Sequence, residues 1–128
     1  MEKKTALITG ATSGIGAACA RRFAHGGYDL ILTGRNQEKL HEVSLQLQKE
    51  GTDVLTLAFD ITNREAAMKA VRQLNDRWSQ IDVLINNAGL ALGLEKEYEG
   101  NMDEWDTMID TNIKGLLTMT RLIVPKMI

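Results

Sequence analysis

Apolar residues in this chain fall into four short runs, separated by longer stretches in which apolar positions follow a helical spacing. The runs are nearly continuous or mix apolar with β-branched residues, which is typical of strands covered on both faces of a sheet. They predict strands at Lys4–Thr9, Tyr28–Thr33, Asp53–Phe59 and Ile81–Asn86.

The stretches between and after these runs predict four helices. The first extends from about Gly14 to His25 and stops at Gly26-Gly27, where glycine favours a left-handed cap. The second extends from near Asn36 to Gly51, and the third starts at the capping-box pattern Thr62–Glu65. The fourth starts after Asn101 and extends nearly to the end of the sequence.

Strands and helices that alternate at this spacing form right-handed crossovers and therefore a parallel sheet. We expect a doubly wound α/β sheet with strand order 3-2-1-4, formed by residues 1–128 as a single domain. The first and fourth strands then lie side by side where the winding direction reverses. In such sheets that crevice is where ligands bind.

Composition narrows the class of protein further. The 128 residues are 44% hydrophobic and 25% charged, as in a globular domain, and the net charge of −2 with no basic stripe disfavours nucleic-acid binding. No apolar run approaches the roughly 20 residues of a membrane span. Cys19 is the only cysteine, and His25 and His41 have no partners at ligand spacing, so we expect a cytosolic protein without a metal site.

A glycine-rich turn, Thr9–Gly16, joins the first strand to the first helix. Its glycines allow a tight turn, a close approach of backbone to pyrophosphate and close helix–strand packing, while the helix N-terminus offers free N–H groups. The spacing Gly-x-x-x-Gly-x-Gly differs from Gly-x-Gly-x-x-Gly, and no P-loop Gly-Lys-Ser/Thr follows. An ordinary tight turn would also account for the glycines, but their place between strand and helix favours phosphate binding.

Together with Asn86-Asn87-Ala88-Gly89 at the end of the fourth strand, this turn resembles the motif pair of the short-chain dehydrogenase/reductase family. Asp60-Ile61 and Asn112 also fall where that family places them, and the resemblance extends from Lys4 to Ile128. It implies a Rossmann-type fold and an oxidoreductase that transfers a hydride between a nicotinamide cofactor and an alcohol or ketone.

The end of the second strand favours NADP(H) over NAD(H). An NAD site needs a carboxylate there for the adenosine ribose, whereas an NADP site uses a cation for the 2′-phosphate. The chain has Arg35-Asn36 at this place, and Asp29 lies at the other end of the strand. Arg35 can donate two charge-assisted hydrogen bonds to a phosphate, although a solvated arginine near a helix start is the alternative.

The resemblance implies roles for the remaining residues. Asp60 would accept a hydrogen bond from the adenine amino group beside the Ile61 backbone, and Asn87–Gly89 would pass along the ribose. For Asn86 we expect a structural role instead, a brace between the strands, because a buried amide must be satisfied. Asn112 would support catalysis by holding a water that links the family's lysine to solvent. The candidate cofactor-binding residues are Gly10, Thr12, Ser13, Gly14, Ile15, Gly16, Arg35, Asn36, Asp60, Ile61, Asn87, Ala88 and Gly89.

Two later segments, Gly89–Glu95 and Glu104–Asn112, are similar to the NADP-dependent 3-hydroxy acid, or serine-type, dehydrogenase branch of the family. This similarity implies a small hydroxy acid as the substrate.

The family's acid–base tyrosine and lysine do not occur here, because Leu32 and Met102 stand four residues after Tyr28 and Tyr98. The family's serine is absent too. We therefore expect the cofactor-binding portion of a longer reductase, truncated before the catalytic half and inactive alone. Ile113–Ile128 is apolar most of the way round, which predicts cover by the rest of the domain or by a second copy in a homo-oligomer. The alternative is a non-catalytic half-Rossmann module that binds nucleotide weakly or self-assembles.

Overall fold

The computed structural model describes residues 3–12, 14–89 and 99–128. Its sheet has four parallel strands in the order β3-β2-β1-β4, as the alternation of elements predicts. The strands are β1 Thr5–Ile8, β2 Asp29–Gly34, β3 Val54–Ala58 and β4 Val83–Ile85. Three of them lie inside their predicted runs, and β2 ends one residue later.

The helices of the described residues are α1 Gly14–His25, α2 Gln37–Lys49, α3 Arg64–Arg72, α4 Asp76–Ser79, α5 Met102–Ile109 and α6 Leu116–Ile123. A π-helical turn, Asp110–Gly115, joins α5 to α6, and a 3₁₀ turn, Val124–Lys126, follows α6. Neither the short helix α4 nor the π turn was predicted from the pattern.

The apolar core has two layers, one on each face of the sheet. Successive side chains of a strand point to opposite faces. In β1, Ile8 therefore faces α1 and α2, whereas Leu7 faces α3 and α6. Both side chains are fully buried. This two-sided cover explains why the strands read as continuous apolar runs rather than as an alternating pattern.

The ends of two helices test the predicted caps. Gly27, with φ of 87°, takes the left-handed position after α1, as predicted. The capping-box start of the third helix is wrong by one residue, because Asn63 accepts the hydrogen bond from the Ala66 amide at 3.1 Å and caps α3. The Thr62 hydroxyl donates instead to Oδ1 of Asp60 at 2.7 Å.

Charged side chains close the amino end of the sheet. Nη2 of Arg77, on α4, donates at 2.9 Å to Asp29 of β2 and at 2.9 Å to Asp53, just before β3. The Arg77 guanidinium also stacks over the Trp78 ring, 4.0 Å from its centroid. Hydrogen bonds to Asp53 and Asp29 raise the pKa of Arg77 above its ordinary value. A short helix thus joins the starts of two neighbouring strands.

Candidate cofactor-binding site

A cleft of about 1110 Å³ opens beyond the carboxyl ends of the strands, where β1 and β4 lie side by side. Ten of the candidate cofactor-binding residues line it: Gly10, Thr12, Ile15, Arg35, Asn36, Asp60, Ile61, Asn87, Ala88 and Gly89. The cleft is also lined by residues that the sequence did not single out: Thr33, Gly34, Gln37, Glu38, Lys39, Phe59 and Thr111. The first turn of α2 and the start of the π turn therefore contribute to the site.

The three glycines of the turn differ in backbone conformation and in what surrounds them. Gly10 has φ of 62°, and a Cβ there would lie 2.9 Å from Cα of Ala88. Gly14 also has positive φ, 58°, but a Cβ there would meet nothing within 4 Å. Gly16 is buried, and a Cβ on it would overlap the carbonyl oxygen of Gly10. Gly16 thus lets the start of α1 pack directly against the Gly10 backbone, which lines the cleft.

Two residues connect the glycine turn directly to the end of β4. The Thr9 hydroxyl accepts hydrogen bonds from the backbone amides of Asn87 at 3.0 Å and Ala88 at 2.9 Å. The Asn87 side-chain amide donates to the carbonyl of Gly10 at 3.0 Å. Thr9 was not among the candidates; the available signal was a buried hydroxyl residue between the strand and the first glycine. The two sequence motifs therefore form one hydrogen-bonded unit.

Asn86 does not brace the strands, which corrects the prediction made for it. Its side-chain amide donates to the Thr120 hydroxyl at 3.1 Å and so joins the end of β4 to α6. Thr120 in turn donates to the carbonyl of Leu116, one helical turn earlier. Alternation along β4 turns Asn86 toward the helix layer and Asn87 toward the glycine turn.

Arg35 and Asn36 form the rim of the cleft just after β2. Arg35 is exposed and lines the cleft. Oδ1 of Asn36 accepts the backbone N–H of Lys39 at 3.1 Å, so Asn36 is the N-cap of α2. A capped helix start next to an arginine places positive charge and the positive end of the helix dipole at the same rim.

Asp60 follows β3 and faces the cleft as an ionised acceptor. Its Oδ1 accepts both the hydroxyl of Thr62 at 2.7 Å and the Thr62 backbone N–H at 2.9 Å. The hydroxyl bond chiefly holds the pKa of Asp60 below its ordinary value, partial burial opposes this, and the positive charge of Arg35 adds a smaller lowering. At neutral pH this carboxylate can accept a hydrogen bond from an amino group.

Asn112 lies in the π turn rather than in a regular α-helix. A π turn adds one residue to the helical repeat and is frequent at functional sites. A Cβ on Gly89 would lie 3.0 Å from Oδ1 of Asn112, so this side chain meets the chain just beyond β4. Thr111, which precedes it, is buried and lines the cleft.

Other expectations fall partly or wholly outside the described residues. Ser13 lies there, as do Tyr98 and most of the segment Gly89–Glu95. Within ranges 3–12, 14–89 and 99–128, no cluster of three potential metal-ligating His, Cys, Asp or Glu residues occurs. In the same ranges, no helix has the length and apolarity to cross a membrane.

Comparison with known proteins gives concordant matches. The family model described as short chain dehydrogenase matches residues 4–128. A probable NADP-dependent dehydrogenase of Haemophilus influenzae is 47% identical over 128 residues, which are 100% of this chain and 50% of that protein. An NADP-dependent 3-hydroxy acid dehydrogenase, YdfG, of Salmonella typhi is 48% identical over 95% of this chain and 48% of its own length.

Among solved structures, the closed form of a serine dehydrogenase complexed with NADP⁺ has a TM-score of 0.90 and 44% sequence identity. The match covers 96% of this chain and 48% of that one. The chain thus spans about half the length of the curated relatives that it matches.

Proposed function

Since this chain belongs to the short-chain dehydrogenase family, we propose that it is the NADP(H)-binding portion of an oxidoreductase. The reaction would transfer a hydride between the nicotinamide and a small hydroxy acid, or a related alcohol or ketone. The observation that carries the proposal is the hydrogen-bonded joint between the glycine turn and Asn87-Ala88, which forms one wall of the cleft at the winding reversal.

The glycine turn supports a dinucleotide site at the cleft. A Cβ on Gly10 would press on the backbone of Ala88, so glycine at this position lets the turn pack closely against the end of β4. The α1 N-terminus begins at Gly14 and offers unpaired backbone N–H groups to the pyrophosphate. NADP(H), when bound, would supply the hydride donor or acceptor of the reaction.

Different residues would bind the adenine ring and the 2′-phosphate. Asp60, held by its hydrogen bonds from Thr62, would accept a hydrogen bond from the adenine amino group. Arg35 would bind the 2′-phosphate at the α2 rim, where its guanidinium can donate two parallel hydrogen bonds. Asn87, Ala88 and Gly89 would pass along the ribose.

The substrate class rests on similarity. The relatives include an NADP-dependent 3-hydroxy acid dehydrogenase and a serine dehydrogenase, so we assign a small hydroxy acid to this protein as well. Asn112 would act from the π turn as a positioning residue by holding a water near the reacting end of the cleft.

We further propose that residues 1–128 bind cofactor without turning over substrate on their own. Hydride transfer to a carbonyl needs a group that delivers a proton to the oxygen. In this family the group is a tyrosine followed by lysine at the fourth position. Here Leu32 and Met102 stand four residues after Tyr28 and Tyr98, so the proposal assigns proton transfer to residues outside these 128.

The decisive experiment compares the two cofactors with an Arg35→Glu variant. We expect NADPH affinity to fall about 100-fold, because charge-assisted bonds to the 2′-phosphate are replaced by repulsion, while NADH affinity changes less than about 3-fold. Isothermal titration of the protein with each reduced cofactor measures both constants. Arg21→Glu makes the same charge change at an exposed position of α1 and should leave both affinities unchanged.

The outcomes test the role of Arg35 and the dinucleotide site separately. Equal losses for NADPH and NADH in Arg35→Glu would overturn the assignment of Arg35 to the 2′-phosphate. Failure of the unmodified protein to bind either cofactor at millimolar concentration would overturn the dinucleotide site itself.

A further inference from the structure

The inner face of the helical segment after β4 changes character at Thr111. Buried residues recur on this face every four positions, at Thr111, Gly115, Met119 and Ile123. Met119 and Ile123 belong to the second core layer, and a Cβ on Gly115 would lie 3.1 Å from Cγ2 of Ile61. The face therefore packs on the sheet side up to the cleft, and there a polar residue follows the apolar ones.

The Thr111 hydroxyl makes no hydrogen bond within ranges 3–12, 14–89 and 99–128. Two other threonines of the same helical segment donate to the carbonyl one turn earlier. Thr107 donates to Asp103 at 3.0 Å, and Thr120 donates to Leu116 at 2.8 Å. Thr111 is the second residue of the π turn and has no bond of this kind to a preceding carbonyl.

This hydroxyl keeps access to the cleft although the residue is only 8% exposed. In the part of the chain that the structure describes, the fully enclosed side-chain atoms without a partner are Oδ1 of Asp29 and Oδ1 of Asn86. The Thr111 hydroxyl is therefore not fully enclosed, and Thr111 lines the cleft. Polar groups that are largely buried are nearly always hydrogen-bonded, so a ligand in the cleft is the partner that this hydroxyl lacks.

Thr111 lies between the ends of β3 and β4. Gly115, one turn later, packs on Ile61 after β3, and Oδ1 of Asn112 lies 3.0 Å from the place of a Cβ on Gly89, after β4. Asp60 lines the same cleft and is the residue that we assign to the adenine amino group. The hydroxyl thus belongs to the part of the cleft that would receive the adenine ring.

We propose that the Thr111 hydroxyl donates a hydrogen bond to a ring nitrogen of the adenine of NADP(H) and so helps the cleft select this base. Adenine has acceptor nitrogens at N3 and N7 besides its amino group. Asp60 accepts and has no proton to donate to them, whereas a hydroxyl can donate. This role rests on the proposed function, because it requires the dinucleotide in the cleft.

The choice of threonine over valine supports this role. Valine has nearly the same shape as threonine and would suit a face that continues into Met119 and Ile123. A hydroxyl without a protein partner adds nothing to the packing of this face, since folding removes it from most of its water. The hydroxyl is useful at this position when a ligand accepts its proton.

Two variants separate the hydroxyl from the methyl group of Thr111. Thr111→Val removes the hydroxyl, and we expect the affinities for NADPH and for the fragment 2′,5′-ADP each to fall about 5-fold, because both ligands carry adenine. Thr111→Ser keeps the hydroxyl, so both affinities should stay within about 2-fold. Isothermal titration of the full protein measures these constants, and Thr107→Val is the matched control with both affinities unchanged.

Stability should follow the opposite order. Thr111→Val loses no protein hydrogen bond and should unfold at the same or a higher urea concentration than the unmodified protein. Thr111→Ser loses a largely buried methyl group and should unfold at a lower one. A structural role of the hydroxyl would instead make Thr111→Val the less stable of the two variants, and that result overturns the proposal.

Ligand analogues test the contact with the base directly. The 3-deaza and 7-deaza forms of 2′,5′-ADP each lack one ring nitrogen. One of them should bind the unmodified protein about 5-fold more weakly than 2′,5′-ADP does, and Thr111→Val should bind that analogue and 2′,5′-ADP equally well. This coupling of the variant to one analogue is a double-mutant cycle between the hydroxyl and the nitrogen.

The other outcomes overturn the role of Thr111. Deaza analogues that lose the same affinity in both proteins would show that the hydroxyl does not contact the base. A loss in Thr111→Val with NADPH but not with 2′,5′-ADP would place the contact at the nicotinamide half. In these cases the unmodified protein still binds NADPH and the proposed function stands, whereas an unmodified protein that binds neither ligand would overturn both.

Discussion

The two ends of the sheet are built in opposite ways from the same strands. The carboxyl end is open and is shaped by backbone, with glycine at positions 10 and 16 and hydrogen bonds from Asn87 and to Thr9. The amino end is tied by charged side chains, with Arg77 between Asp29 and Asp53 and the carboxylate of Asp82 accepting the Thr5 amide at 2.9 Å.

This difference places ligand binding at one end of a small domain and leaves the other end to hold the strands together. An edge lined by backbone leaves room for a ligand, whereas an edge with ion pairs holds neighbouring strands in place. We therefore expect substitutions at the carboxyl end to change cofactor binding as well as the free energy of unfolding, and substitutions at the amino end to change the free energy of unfolding without changing the cleft.

The largest effect is expected for Gly16→Ala, because the new methyl group would overlap the Gly10 carbonyl and lie 2.5 Å from Nδ2 of Asn87. The turn must then move away from β4. We expect unfolding to become easier by about 3 kcal/mol and NADPH affinity to fall at least 100-fold, measured by denaturant titration and isothermal titration.

Gly14→Ala is the matched control for this change. A methyl group on Gly14 meets nothing within 4 Å, so the cost is that of the positive φ alone, about 1 kcal/mol. If the two alanine variants lose the same stability and affinity, close packing of Gly16 beneath Gly10 is not what shapes the cleft.

The next largest effect is expected for Arg77→Met at the other end. Loss of the Arg77 guanidinium leaves the carboxylate of Asp29, whose side chain is only 6% exposed, without its cation. We expect the free energy of unfolding to fall by about 2 kcal/mol, less than for a fully buried pair because Arg77 itself is 42% exposed. NADPH affinity should stay within 2-fold of the unmodified protein.

Two further variants test which contact of Arg77 causes the loss of stability. Asp53→Asn removes the pair with the exposed partner and should cost about 0.5 kcal/mol. Adding Asp29→Asn to Arg77→Met should restore part of the lost stability, because the buried group is then neutral. No recovery in the double variant would mean that the stacking of Arg77 on Trp78, rather than the buried charge, carries the effect.

The contrast between the two ends also explains how much could be predicted from the sequence. The strand order follows from local rules, namely apolar runs and helical spacing. The glycine turn is also local, because Gly10 has a φ of 62°, a conformation that favours glycine. Arg77 pairs with Asp29 and Asp53, which precede it by 48 and 24 positions along the chain. Nothing in the local sequence pattern links Arg77 to either carboxylate.

The other differences between the predicted and the observed structure arise where two neighbouring side chains compete for the same hydrogen-bonding role. Thr62 and Asn63 can each cap α3, and the choice falls to Asn63 because Asp60 takes the Thr62 hydroxyl. Asn86 and Asn87 are identical neighbours, and only the pleat of β4 decides that one reaches α6 and the other the glycine turn. The π turn at Asn112 likewise has no signature in the apolar spacing.

The smallest expected effect concerns Thr62→Val, which removes the hydroxyl bond to Asp60 and keeps the backbone N–H. The pKa of Asp60 is lowered chiefly by that hydroxyl, so in the variant it should rise toward its ordinary value, as followed by carboxyl NMR. A lowered folded-state pKa stabilises the fold above the unfolded-state value, about 3.9, and the benefit is lost as pH falls through the folded-state value. The stability difference between the two proteins should therefore be present at pH 6 and disappear once the pH lies below the lowered folded-state pKa of Asp60. Thr107→Val, whose hydroxyl bonds to the Asp103 carbonyl instead, should leave the Asp60 titration unchanged. An Asp60 titration that is identical in Thr62→Val and the unmodified protein would assign the lowered pKa to the Thr62 backbone N–H and the charge of Arg35 instead.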